Sequence, residues 1–231
     1  AWRYLRSRRK ETVISVIASI SFVGIMLGVA TLIIVMAVMN GVRAELLNRI
    51  LGVNGHMILQ PVDLPLADYD VIAKRIDGVA GVKYAIPLID GQVLASGVAG
   101  PGTGALVRGI QGDSLGQIAM VANNIRQGSL VGFDEGEGVA IGRRMADNLG
   151  LALGDRITLV SPEGDETPFG TTPRVKAYPV AAIFEVGMSE YDSSIIYMPL
   201  REAQLYFNME NQAQSIEIFV DNPDAVDGLK A

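Results

Sequence analysis

The chain has 231 residues, 49% of them hydrophobic and 19% charged, with one histidine and no cysteine, and its mean hydropathy is +0.32, more apolar than most soluble domains of this size. The lack of cysteine excludes a disulfide framework, a thiolate nucleophile, a zinc ribbon and an iron–sulfur centre. The formal charge of −6 hides an asymmetry: Arg3, Arg6, Arg8, Arg9 and Lys10 stand against Glu11 alone, a net of +4, and the remaining residues carry a net of −10, an acidic balance that disfavours nucleic acid as a partner.

From Thr12 to Val42 there is no charge, and 22 of the 31 residues are Ala, Val, Ile, Leu, Met or Phe. As a helix this stretch is about 46 Å long against roughly 30 Å of bilayer core. It runs into Asn40-Gly41-Val42-Arg43 and further helical pattern rather than a small-residue cleavage site, so an uncleaved transmembrane helix is expected instead of a signal peptide. The basic residues before it make 1–11 a cytoplasmic stub and put the acidic bulk outside the cytoplasm. Gly24 and Gly28 form a small-xxx-small pair suited to close helix packing, while Phe22, Met26, Val29, Ile33 and Met36 line the opposite face and suit acyl chains. Chance occurrence of the glycines and plain lipid contact by the bulky stripe account for the pattern equally well. Leu46, Leu47, Ile50 and Leu51 extend the helical spacing, Glu45 and Arg49 are placed to pair, and Gly52 offers a stop, so residues 12–52 are expected to form a membrane helix with a stalk.

Beyond it, His56 to Gln60 alternates as a strand, 61–68 is a loop, and Tyr69, Ile72 and Ile76 mark a helix that Asp68 could cap, followed by strand-like segments from Val79 to Ala95. This is a β-α-β unit. SGVAGPGTG (96–104) is a glycine-rich loop, Ala105 to Ile110 a strand, and 111–138 a mixed region with short helical pieces and a polar turn. Ile141, Met145 and Leu149, four apart, predict a helix ended by Gly150, and Arg156 to Val160 a strand after a Gly-Asp turn. Ala177 to Val186 and Ser194 to Met198 are further strands, the latter entering a helix with Pro199 at its first turn and Leu205 and Tyr206 inside. Ser215 to Val220 then repeats the strand, loop and helix order of residues 56–77, and the sequence stops inside that helix. An unfinished second β-α-β unit leaves a sheet position unpaired, from which a continuation beyond Ala231 is expected. The fold class is α+β.

No catalytic constellation emerges. GPGTG (100–104) lacks the Gly-Lys-Ser/Thr of a phosphate loop, so no nucleotide site is expected in this chain. His56 has no second His or Cys beside it and fits a packing role. Asp134, Glu135 and Glu137 alternate with glycines without calcium-loop spacing and fit a solvated turn. The segment SPEGDETPFGTTPRVK (161–176) stands out, because it joins two strands yet is far longer than a hairpin turn. Pro162, Pro168 and Pro173 stiffen it, Phe169 is its lone aromatic, and Arg174 and Lys176 lie at its base. An exposed aromatic with a nearby Arg on a stiff arm suits protein docking; a mobile polar hairpin whose Phe folds back is the other reading.

Five segments, GIMLGVATLIIVMAVMNGV (24–42), LLNRILGVNGH (46–56), VAIGRRMADNLGLALGD (139–155), TPFGTTPRVKAYPV (167–180) and EVGMSEYDSSIIYMPLREAQ (185–204), are spread along most of the chain and resemble the lipoprotein-releasing ABC transporter permeases of the LolC/LolE family. The resemblance implies a four-helix permease with a MacB-like periplasmic domain between its first and second membrane helices. Within that domain, 53–104 would be the first part of a porter-like subdomain and 105–200 an inserted β-rich subdomain bearing the arm 161–176, with 201–231 returning to the porter-like part. It implies an inner-membrane location, a second permease copy or paralogue, and a cytoplasmic ATPase dimer that binds ATP and Mg, so that this chain needs no cofactor of its own. It further implies extraction of lipoproteins from the membrane and their delivery to a LolA-like periplasmic carrier. The arm is similar to the carrier-recruiting hook of LolC, so Pro168, Phe169, Gly170, Pro173 and Arg174 match a carrier-binding set, with Phe169 as the apolar anchor and Arg174 as a supporting contact. On the same reading Phe22, Met26, Val29, Ile33 and Met36 would line an acyl-chain cavity. The resemblance leaves a LolC-like, a LolE-like or a combined role open. A MacB-type efflux subunit and an FtsX-type signalling permease are the alternatives in other functional classes.

Overall fold

The computed structural model describes residues 12–62, 65–136, 138–167 and 170–222. The basic stub 1–11, Glu137, Pro168, Phe169 and the helix start expected after Asn222 lie outside them. The chain divides into two units, Ala1–Asn48 and Arg49–Ala231.

The first unit contains most of helix α1, Thr12–Leu51. Its stretch Ile14–Arg43, 30 residues of mean hydropathy 2.7, is long and apolar enough to cross a membrane and buries nothing against the chain itself. Two of its hydroxyls are satisfied internally: Ser19 Oγ donates to the Ser15 carbonyl and Thr31 Oγ1 to that of Leu27, each at 2.8 Å, which lowers the cost of carrying them into an apolar medium.

The second unit begins with β1 (Met57–Leu59), α2 (Tyr69–Asp77), β2 (Val82–Ser96) and β3 (Thr103–Ile110). The short α3 (Gly112–Gln117) and α4 (Ala119–Ala122) precede β4 (Ile125–Gly128), β5 (Val139–Gly142), α5 (Arg143–Leu149), β6 (Arg156–Thr167) and β7 (Gly170–Phe184). It ends with α6 (Ser189–Ser194), β8 (Ile195–Pro199), α7 (Leu200–Tyr206) and β9 (Ser215–Val220). Strands β1 and β2 both lie antiparallel to β9 between them, so β1, α2 and β2 make the expected β-α-β unit in split form. Ala73 of α2, with Ile72 and Ile76, packs on Ile216, Ile218 and Val220 of β9.

Strand β2 is long enough to serve two sheets. Its first half pairs with β9, and its second half pairs with β3 and with β6. Because β6 also pairs with β7, the order β2-β3-β8-β5-β7-β6 closes on itself as a barrel. Val93, Val107, Ile141, Ile157, Leu159, Tyr178 and Ile196 fill its interior cluster. A second cluster, on the other face of several of the same strands, joins Ala140, Phe184 and Tyr197 to Leu115, Ile118, Val121 and Phe133. Burial on both faces explains why β5 and β8 are continuous apolar runs, and β5 and β8 are also the strands that run parallel to β7 and β3.

Several expectations are corrected. Ile141 lies in a strand, not in the helix; it shares one core cluster with Met145 and Leu149, so spacing imposed by a common core imitated a helical period. Gly150 does end α5, in the left-handed conformation at φ 63°. Asp68 makes no side-chain cap on α2; the helix is tied down at its other end, where Asp77 Oδ1 accepts the Ala85 N–H at 2.6 Å. The segment 161–176 is not a loop but two paired strands. Helix α6 was not anticipated, and its organiser is Asp192, which accepts the N–H groups of Val186 at 2.9 Å and Gly187 at 3.1 Å. Gly142 comes so close to the backbone of this residue that a Cβ there would sit 2.2 Å from the Asp192 carbonyl oxygen.

Candidate docking arm and its surroundings

Strands β6 and β7 pair from Arg156↔Pro179 through Ser161↔Arg174, and again from Asp165↔Thr172 through Thr167↔Gly170. The last pairing of β6 with β2 is Leu94↔Val160. Among the described residues, β6 after Val160 therefore pairs with β7 alone, and the hairpin continues past the barrel wall as a two-stranded arm. Between the two ladders Pro162, Glu163 and Gly164 stand opposite Pro173 alone. The two prolines have no N–H to give a ladder, and the extra residues form a bulge there. Gly164 is required by contact: a Cβ on it would lie 1.6 Å from the Thr172 carbonyl oxygen.

Of the residues singled out by sequence, Pro173 is exposed beside this bulge and Gly170 closes the outer ladder opposite Thr167. Pro168 and Phe169 are the two residues between the strands and lie outside the described residues. Arg174 does not reach outward as a free contact. Its Nη1 donates to the carbonyls of Leu205 at 3.0 Å and Tyr206 at 2.5 Å, and its Nη2 donates to Asn208 Oδ1 at 2.8 Å. Lys176 Nζ meets Glu202 at 2.9 Å and lies 4.9 Å from the centre of the Tyr178 ring. Burial pushes the Tyr206 phenol up to about 12, although the Ser161 backbone N–H and the Arg174 charge work the other way.

Sequence reasoning missed the surface at the arm's root. Leu94, Val160 and Val175 are successive cross-strand partners on β2, β6 and β7, and so share one face. Their neighbours Leu159 and Ile157 point into the barrel, and Leu94 and Val175 are 49% and 61% exposed. The signal was present in the sequence only as ordinary strand alternation. Which face meets solvent depends on the closure of the barrel.

A buried ionic cluster was also missed. Arg108 of β3 faces its cross-strand partner Asp90, with Nε to Oδ1 at 3.1 Å, and its Nη2 donates to Glu217 of β9. Asn54 Oδ1 accepts from Arg108 Nη1 at 3.3 Å, and Glu217 Oε2 accepts the Gly55 N–H at 3.2 Å. Burial works to lower the pKa of the guanidinium, but Asp90 and Glu217 outweigh it and hold the group above its ordinary range. The cluster pins the segment at 54–55 to both the three-stranded sheet and the barrel. Nearby, the Tyr191 and Tyr197 hydroxyls share a hydrogen bond of 2.7 Å.

On α1, Phe22, Met26, Val29, Ile33 and Met36 are all exposed, and a Cβ on Gly24 or Gly28 would meet nothing within 4 Å. Both faces are open to lipid or to another helix. His56 packs edge-on against Phe219, 5.7 Å between ring centres, and its Nδ1 accepts the Val220 N–H at 3.0 Å. Asp134 accepts the Gly112 N–H with both oxygens at 2.8 Å. Among the described residues no group of three or more His, Asp or Glu is placed to hold a metal ion.

A helix long and apolar enough to cross a membrane precedes a domain built of a split β-α-β unit and a barrel, and the chain belongs to the family of the MacB-like periplasmic core domain, which matches residues 18–231. It is 28% identical over 235 residues, all of this chain and 56% of the relative, to the lipoprotein-releasing system transmembrane protein LolC of Neisseria meningitidis serogroup B. It is 31% identical over 212 residues, 90% of this chain and 50% of the relative, to LolC of Xylella fastidiosa, and 26% identical over 229 residues, 96% of this chain and 54% of the relative, to LolE of Haemophilus influenzae. The chain thus spans about half the length of these relatives. The periplasmic region of MacB from Actinobacillus actinomycetemcomitans shares the fold, with a TM-score of 0.50 and 12% identity over 80% of this chain and 85% of that one.

Proposed function

We propose that this chain is the part of a lipoprotein-releasing ABC permease that carries a first transmembrane helix and the periplasmic domain, and that its arm receives a LolA-like periplasmic carrier. In this reading the helix runs outward from the cytoplasm, its positive flank inside. ATP and Mg are bound by a separate cytoplasmic ATPase dimer. The chain acts with a second permease copy or paralogue, contacts membrane lipids and the lipoprotein, and breaks no bond in its cargo. The bulky stripe of α1 lines the acyl-chain path and the Gly24/Gly28 face packs against a neighbouring helix.

The observation that carries the proposal is the arm itself: a proline-bulged ribbon continuing past a closed barrel wall, with the apolar row Leu94, Val160 and Val175 beside its root. A closed barrel offers no strand edge for pairing. A partner held at this place meets the arm and the apolar row at its root, and a stiffened ribbon presents both with little ordering cost. The similarity to LolC along the whole chain supports this over an efflux or signalling role.

The test is a photo-crosslinker at position 169 in the full-length protein in membranes. A crosslink to a soluble periplasmic carrier, lost in Phe169→Glu with the melting temperature of the domain unchanged, is the expected result. Crosslinks to an adaptor or a cell-wall hydrolase would transfer the chain to efflux or signalling, and a large loss of thermal stability in Phe169→Glu with unchanged capture would return Phe169 to a packing role.

A further inference from the structure

Helix α7 ends at the root of the arm, and its C-terminal carbonyls are groups that no residue of the helix can satisfy. Arg174 of β7 supplies the donors: one nitrogen serves the Leu205 and Tyr206 carbonyls and another the Asn208 side chain. Asn208 itself takes the left-handed conformation, φ 56°, in which Asn ends helices without the penalty other side chains meet. The bonding is reciprocal, since the Tyr206 hydroxyl donates back to the Arg174 carbonyl at 3.3 Å. A second pin, Lys176 to Glu202 at 2.9 Å, lies on the same strand face and the same helix face. Two strand residues advance about 6.8 Å and four helical residues about 6.0 Å, so the two pins run in register, antiparallel along the helix.

Position along the arm gives the clamp its meaning. Ser161↔Arg174 is the last rung before the bulge, so among the described rungs the outer ladder joins the barrel ladder at this pair. Helix α7 is in turn anchored in the barrel core by Leu200, Ala203 and Tyr206. We propose that Arg174 is a positioning residue: clamped to the C-terminus of α7, it sets the direction in which the arm leaves the barrel, and it acts on partner capture through that direction rather than by touching the partner. The inference rests on the reading of the arm as a carrier-docking element. A planar, multiply bonded guanidinium suits the task, since it opposes rotation of the strand as well as its displacement.

The chain has no cysteine of its own, so two introduced ones are unique label sites once any cysteine elsewhere in the full-length protein is replaced by serine. Spin labels at Thr172→Cys on the arm and Asn148→Cys on α5, in the full-length protein, report the arm's direction as a distance distribution. A single narrow distribution is expected in the parent. Arg174→Gln is expected to broaden it and to weaken carrier capture on the order of tenfold, the loss of preorganisation. Asn208→Gly keeps the left-handed turn and removes one acceptor, and it should broaden the distribution less. Loss of capture with unchanged distances in both variants would make Arg174 a direct contact and overturn the proposal, as would unchanged distances with unchanged capture. If Arg174→Gln fails to fold, Asn208→Gly alone decides between these outcomes. If the parent captures no carrier, the docking reading fails, and the distance comparison still decides whether Arg174 positions the arm.

Discussion

Arg108 is 6% exposed and pairs with Glu217, which is buried with it, and with Asp90, which stays partly in solvent. Arg108→Met would strand the buried Glu217, at a cost of about 3–5 kcal/mol, seen as a fall on the order of ten degrees in melting temperature. Adding Glu217→Gln should return part of the loss, and a double variant no more stable than the single one would show that the cluster does not act as a unit. The single histidine gives a second test. Burial, then the charge of Lys83, lowers the pKa of His56 below 6.5, and its Nδ1 must stay unprotonated to accept the Val220 N–H. A lowered histidine pKa contributes stability above its unfolded value, and that stability is lost as pH falls from about 6.5 toward the folded value. Thermal unfolding between pH 7.5 and 5.5 should therefore show a decline that His56→Asn, which keeps an acceptor but does not titrate, flattens. Equal slopes in the two proteins would remove His56 from the account. Arg108 and Glu217 are partly legible in the sequence, as lone charges of opposite sign within the apolar strands LVRGI and SIEIFV. Their pairing is not, because Arg108 stands on β3 of the barrel and Glu217 on β9 of the other sheet.

At the scale of elements, the arm is decided by backbone contacts. Gly164 passes so close to the Thr172 carbonyl that Gly164→Val cannot keep the bulge. The outer rungs from Asp165↔Thr172 to Thr167↔Gly170 should then exchange their amide hydrogens much faster, with the barrel rungs Arg156↔Pro179 to Ser161↔Arg174 still protected. Retained protection of the outer rungs would show that the bulge is dispensable. Most helices and strands could be placed from periodicity and from turn residues such as Gly150, whose left-handed φ needs glycine and whose Cβ would lie 2.8 Å from that of Ala99. Periodicity failed at Ile141, where burial on both sides of the strand removes the alternation on which a strand assignment relies. It failed also at 161–176, because its prolines and glycines mark turns in most chains but mark a bulge when a partner strand is present.

For the whole molecule, Ala1–Asn48 and Arg49–Ala231 are separate units, and the second contains all three core clusters. Residues 49–231 expressed alone should be soluble and unfold in one cooperative transition, within a few degrees of the domain transition of the full chain in detergent. A broad, non-cooperative transition, or a need for detergent, would show that the helix contributes to the fold of the domain. The apolar helix, the acidic balance of the rest of the chain, the α+β class and the position of the arm were legible in the sequence, because hydropathy, charge and local turn chemistry are properties of neighbouring residues. Only the tertiary structure decided that β6 closes a barrel, that Arg108 joins two sheets, and that Arg174 caps α7 instead of standing free. Each of these pairs residues dozens of positions apart, and no local period records which distant strand will supply the partner.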